Sequence, residues 1–182
     1  ALAMQIRLHA ARSRKETCSA LMERIDTILA RDDIPKGPFW RRSVEIHVHM
    51  ARAYSEIAAQ RWTPVLEHLD RAAALAKVMR LGRVQIEVMG LRALALERNG
   101  DHGRSQLEEA MTLGNAYGLK RFLIDAHPAL GEWARCLTNE EASSEKQGQV
   151  WTSFKSTQPR SERNASARRA SPCSVLTPKE RQ

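Results

Sequence analysis

The chain has 182 residues, with 29 Lys and Arg against 21 Asp and Glu, a net charge of +8 and a pI near 9.9. That length suits one domain with an appendage, and the basic excess permits contact with nucleic acid or an anionic surface without requiring either. Aromatics make up only 5% of a chain rich in Ala and Leu, which favours helix over sheet. No run of eighteen apolar residues occurs, and the opening stretch is broken by Gln5, Arg7 and His9, so neither a membrane span nor a secretory leader is expected. Cys18, Cys136 and Cys173 are scattered and odd in number, without metal or disulfide spacing, which makes a reducing, cytoplasmic setting the default.

In chain order, Leu2, Ile6, Leu8 and Ala10 read as the end of a helix. Lys15 to Arg31 forms a second helix, with Leu21, Ile25, Ile28 and Leu29 on one stripe. Residues 32–38, DDIPKGP, are a breaker-rich loop. A longer helix runs from Phe39 to about Gln60, and Trp62 packs near the start of the next. Thr63-Pro64 predicts a cap followed by proline at the first helical position, with Leu66, Leu69, Ala73 and Ala76 facing inward and an end before Gly82.

Arg83 to Arg98 follows, with Ile86, Gly90, Ala93 and Leu94 inward; Gly90 costs about 1 kcal/mol against Ala, so a close helix crossing is expected there. Gly100 should stop this helix in a left-handed turn, with Asp101 capping the next. Helices at about Gly103 to Tyr117 and Lys120 to Leu137 complete the pattern, the second kinked or delayed by Pro128. Beyond Leu137 the composition turns to Ser, Arg and other polar residues, as expected of a disordered linker over 138–174.

Part of the chain is written twice. Residues 69–88 and 107–126 share Leu69/Leu107, Ala72/Ala110, Leu75/Leu113, Leu81/Leu119, Arg83/Arg121 and Ile86/Ile124 without a gap, a shift of 38. A third copy sits upstream by 40, where Val44, Ile46, Val48, Arg52 and Ala53 match Val84, Ile86, Val88, Arg92 and Ala93. Such a period is typical of helix-hairpin repeats, which bury their apolar faces only by stacking. The expected fold is therefore all-α, a tetratricopeptide-like helical-hairpin solenoid over residues 1–137.

Thr177-Pro178-Lys179-Glu180 forms a capping box that announces a helix, although the sequence stops two residues later and reads as truncated. Leu176, Thr177, Pro178 and Glu180 resemble the opening of the LuxR-type helix-turn-helix, with Lys179 where that family has Arg. Residues 110–130 resemble the last helix pair of the large ATP-dependent LuxR-type regulators, the maltose-regulon activator among them. Gly118, Arg121, Phe122 and Asp125 stand at the matching places, while Ala126-His127 replaces the family's glycine.

The resemblance implies a transcription activator with a nucleotide-hydrolysing module, a sensor solenoid and a DNA reader, here present only as its first residues, 175–182. ATP would bind through a module this chain lacks, because no G-x-x-x-x-G-K-[ST] loop occurs. Expected partners are DNA, through that reader, and a small-molecule or protein effector, with self-association. The alternative is a free-standing tetratricopeptide-like adaptor for a peptide or protein.

No catalytic or metal motif is present: His47 and His49 are two apart on a helix, and no His-Glu-x-x-His, Cys-x-x-Cys or Gly-x-Ser-x-Gly occurs, so no enzyme activity is expected. Arg83 and Arg121, each four residues before an acid (Glu87 and Asp125), are expected to pair with it on the helix surface or to line a ligand face. Trp62 is the aromatic candidate for that face, although packing is the commoner use of such a residue.

Overall fold

A computed structural model of the chain describes residues 1–31 and 37–140. Within them lie helices α1 (Leu2–Ala10), α2 (Lys15–Leu29), α3 (Pro38–Ala58), α4 (Trp62–Val78), α5 (Gly82–Asn99), α6 (Arg104–Ala116) and α7 (Lys120–Ile124). An eighth helix, α8, spans 128–140, and no strand occurs among the described residues. The chain divides into two compact units, Ala1–Gly131 and Glu132–Gln182; the described part of the second, 132–140, is helical. Residues 138–140, expected to open the disordered linker, are instead the end of α8; the rest of that linker, 141–174, and the opening of the reader, 175–182, lie outside the described residues.

The helices pack in chain order: α1 on α2 and α3, α3 on α4, α4 on α5, α5 on α6 and α7. Ile6, Ile46, Leu69 and Leu91 are among the side chains wholly removed from solvent, each worth roughly 1.5–3 kcal/mol of transfer free energy. The repeat is carried into the packing. Leu69/Leu107, Ala72/Ala110 and Ala76/Gly114 are buried pairs, and Ile46/Ile86 and Ala53/Ala93 are buried at the upstream match.

Five turns share one geometry. Ser13, Gln60, Arg80, Gly100 and Gly118 all have positive φ, between 53° and 89°. At each, its own N–H bonds three residues back and the next N–H bonds five back, as Arg80 to Lys77 O and Leu81 to Ala76 O illustrate. This is the Schellman motif, which satisfies carbonyls that a helix end leaves open. From Gln60 the motifs recur at 80, 100 and 118. Leu81 and Leu119, identical in the repeat, each occupy the place just after the left-handed residue.

The matched arginines Arg52 and Arg92 each reach the preceding helix, Arg52 to Asp26 at 3.0 Å and Arg92 to Asp70 at 2.9 Å. These half-exposed pairs contribute about 0.2–1 kcal/mol each and act mainly as a register mark between neighbours.

Several sequence expectations change. Thr63 is not the cap of α4: the helix starts at Trp62, with Arg61 at the N-cap and Pro64 inside the first turn, where proline is tolerated. The inward stripe of α4 is Val65, Leu69, Ala72 and Ala76, with Leu66 and Ala73 only half-buried. Asp101 does not cap α6, whose N-cap is Gly103. There the Ala93 carbonyl stands where a β-carbon would be, so no larger residue fits without a shift. The helix from Lys120 to Leu137 is interrupted at 125–127 and restarts at Pro128, the break expected at that proline, which sits in a first turn where it is tolerated. Gly90 is close-packed as expected, directly under Leu123 of α7 and Leu130.

Candidate functional site

A cleft of about 440 Å³ opens along the first unit, and each helix contributes to it for a local reason. On α1, Met4 and Arg7 follow one another by one turn, on the side next to buried Ile6. On α3, Ile46, Met50 and Tyr54 stand four apart, so one stripe of a regular helix faces the cleft. On α5, Arg83, Val84 and Glu87 occupy the first turn and a half, and Phe122 comes from the short α7. Every lining residue belongs to α1 with its cap Ala1, α3, α5 or α7; α2, α4 and α6 contribute none.

Glu87 is the polar centre. It is 7% exposed, the only charged residue buried to that degree among the described residues. Arg7 Nη1 approaches its Oε1 at 3.2 Å, and Tyr54 donates its hydroxyl hydrogen to the same oxygen at 2.6 Å. The Ala126 carbonyl lies 3.2 Å from that hydroxyl, so the single phenolic hydrogen favours the shorter, charge-assisted bond to Glu87. Arg7 Nη2 donates to the Asp125 carbonyl at 3.1 Å. A carboxylate this far from water persists only with such partners. Burial, then the Glu87 charge, pushes the Tyr54 phenol well above its usual range, with Arg7 opposing. Tyr54 therefore stays protonated and serves as a donor, not as a base.

Cations stack on Phe122. The Arg83 guanidinium lies 4.0 Å from its ring centroid and that of Arg7 5.3 Å. Each such contact contributes about 0.5–1 kcal/mol at an exposed site. His47 lines the rim, its Nδ1 2.7 Å from the Ser43 carbonyl. A carbonyl only accepts, so Nδ1 carries a hydrogen in that bond.

Of the residues singled out in the sequence, Arg83 is in the cleft, but it does not pair with Glu87. Glu87 turns inward to Arg7, eighty positions away, and Arg83 takes the Phe122 ring instead. Arg121 does meet Asp125 at 3.4 Å, but its side chain is 94% exposed and is not among the cleft residues. Trp62 is half-buried against the core at the start of α4 and is likewise not among them. Leu176, Thr177, Pro178 and Glu180 lie outside the described residues.

Sequence reasoning missed Arg7 and Tyr54, and placed Glu87 on the surface as the partner of Arg83 instead of buried against Arg7. The available signal was the run Val84 to Leu96, apolar on nearly all sides, in which one acid interrupts Ile86 and Val88. Such an acid must be buried, and a buried acid needs a cation.

A second cleft of about 500 Å³ lies between α1, α2 and α3, walled by Ile25, Ile28, Leu29, Trp40 and Val44. It is nearly all apolar, and Trp40 is 48% exposed at its edge. Among the described residues no group of three or more His, Cys, Asp or Glu could hold a metal, and no helix is long and apolar enough to cross a membrane. The fold and cleft thus define an all-helical protein with a ligand-sized hollow. No protein-family model, curated protein or solved structure matches the chain.

Proposed function

We propose that the chain is the sensing part of a cytoplasmic LuxR-type transcription activator, built as a solenoid of tetratricopeptide-like hairpins. The observation that carries the solenoid reading is the alternation of the cleft: only α1, α3, α5 and α7 line it, as the first helices of successive hairpins would. The Schellman turns at 60, 80, 100 and 118 supply the matching rhythm. The opening Leu-Thr-Pro-Lys-Glu at 176–180 supports a LuxR-type reader after a polar linker that begins past α8, at about residue 141.

A signal in the cleft would shift an equilibrium between inactive and assembled forms by its differential affinity for the two. ATP would act through a separate module, and DNA through a recognition helix following this segment. The direct test is to sequence the coding region on both sides of residues 1–182. A frame continuing into about fifty further residues with a third, recognition-like helix supports the reading. A stop codon after Gln182 in an intact gene overturns it.

The apolar cleft bearing Trp40 favours one second reading, an adaptor that docks a peptide segment. A gel shift separates the roles further: residues 1–182 are expected to show little sequence-specific DNA binding, and tight selective binding would contradict the proposed division of labour.

A further inference from the structure

Two guanidiniums and one carboxylate face the cleft, and the carboxylate is already engaged. Glu87 neutralises Arg7 at 3.2 Å and takes the Tyr54 hydrogen at 2.6 Å, while the other arm of Arg7 is fixed on the Asp125 carbonyl. Arg83 is differently placed. It is exposed, it lies 4.0 Å from the Phe122 centroid, and among the described residues no carboxylate pairs with it. A guanidinium stacked on a ring still offers its edge N–H groups, in the fork that matches a carboxylate. Beside it the wall is apolar, with Met4, Met50 and Val84. Methionine adapts to varied apolar shapes.

We propose that this cleft binds a small amphiphilic monoanion, a carboxylate carried on an apolar chain or ring. Arg83 holds the carboxylate, and Met4, Met50 and Val84 cover the apolar body. One uncompensated cation selects one negative charge; a dianion would leave its second charge beside Glu87. A neutral polyol finds few partners, because the Tyr54 hydroxyl and the Glu87 carboxylate are already bonded to each other. The volume of about 440 Å³ falls in the range of small-molecule sites, roughly 300–1,000 Å³. The inference names the signal in the sensor reading and rests on that reading for its biological meaning. Binding is measured on the chain itself, so its failure is distinct from a stop codon after Gln182.

The test is calorimetric titration of residues 1–182 with octanoate and, in parallel, with octanamide, its neutral near-isostere. Octanoate should saturate a single site and bind about tenfold or more tighter than octanamide, the scale of one charge-assisted hydrogen bond. Arg83→Gln should erase that preference, while Arg121→Gln should keep it. Both side chains are exposed, and thermal melts of both variants will confirm an intact fold. Three results each overturn the proposal: no saturable octanoate binding in the millimolar range, equal binding of octanoate and octanamide, or a full preference surviving in a folded Arg83→Gln chain.

Discussion

Tyr54 on α3 donates to Glu87 on α5 across 2.6 Å, and both side chains are buried. Hydrogen bonds to charged groups contribute about 1.5–3 kcal/mol, so Tyr54→Phe should destabilise by that amount while Arg7 still compensates Glu87. Glu87→Ala should cost more, about 3–5 kcal/mol, because it leaves the mostly buried Arg7 without a counter-charge. Urea titrations of the two single variants and the double variant will measure the coupling; strict additivity would contradict the shared oxygen described above.

Glycine behaves oppositely at two sites. A β-carbon at Gly103 would overlap the Ala93 carbonyl, so Gly103→Ala should destabilise by about 1–3 kcal/mol. At Gly82 nothing lies within 4 Å, and Gly82→Ala should stabilise by about 0.4–1 kcal/mol through the unfolded chain. Equal melting temperatures for the two variants would refute the close approach of α5 and the α6 start.

The left-handed turns allow a stabilising change. Arg80 has φ 54° and Gln60 φ 57°, where a side chain is strained by about 1–2 kcal/mol. Arg80→Gly should raise stability by about 0.5–1 kcal/mol, the gain being reduced by glycine's larger unfolded entropy. Gly100→Ala should lower it by a similar amount. Differential scanning calorimetry on both decides the matter, and a destabilised Arg80→Gly would count against the turn geometry.

Stability should fall on mild acidification. His49 on α3 and His68 on α4 have ring centroids 5.6 Å apart, and both Nδ1 atoms are buried without a hydrogen-bond partner. Burial lowers both affinities for protons, reinforced at His49 by His68, Arg71 and Arg52 and opposed by Glu45; at His68 Arg52 and Arg71 lower it and Glu56 and Glu67 oppose. The unfolded chain takes up protons near the usual 6.5 and the folded chain only at lower pH. This contribution to stability is therefore complete above about 6.5 and disappears as pH falls through the folded values. Melts between pH 8 and pH 5 should show the loss, and a His49→Gln, His68→Gln chain should show less of it; an unchanged slope would remove the pair as its cause.

Helix positions were legible in the sequence because apolar period and breakers act locally, as at Gly100 and in the Leu81/Leu119 match. Cap identities were not: Thr63 and Asp101 carry the right chemistry, but the Schellman turn and Gly103 set the N-caps two residues away, at Arg61 and Gly103. The repeat's ion pair was expected at Arg83–Glu87, because a spacing of four is visible in one dimension. The pairs that recur are Arg52–Asp26 and Arg92–Asp70, which require knowledge of which helix faces which. The cleft was hidden for the same reason, since Arg7, Tyr54 and Glu87 meet only once α1, α3 and α5 come together in the fold.

The absence of α2, α4 and α6 from the cleft has a practical consequence for anyone reshaping this chain. Of these, α4 and α6 line neither cleft and form a chassis whose outward positions can be recoloured for solubility, labelled with a dye or tethered to a surface without touching the cleft walls. A library restricted to their outward positions would tune the handling of the protein, while one restricted to α1, α3, α5 and α7 would reshape the cleft itself.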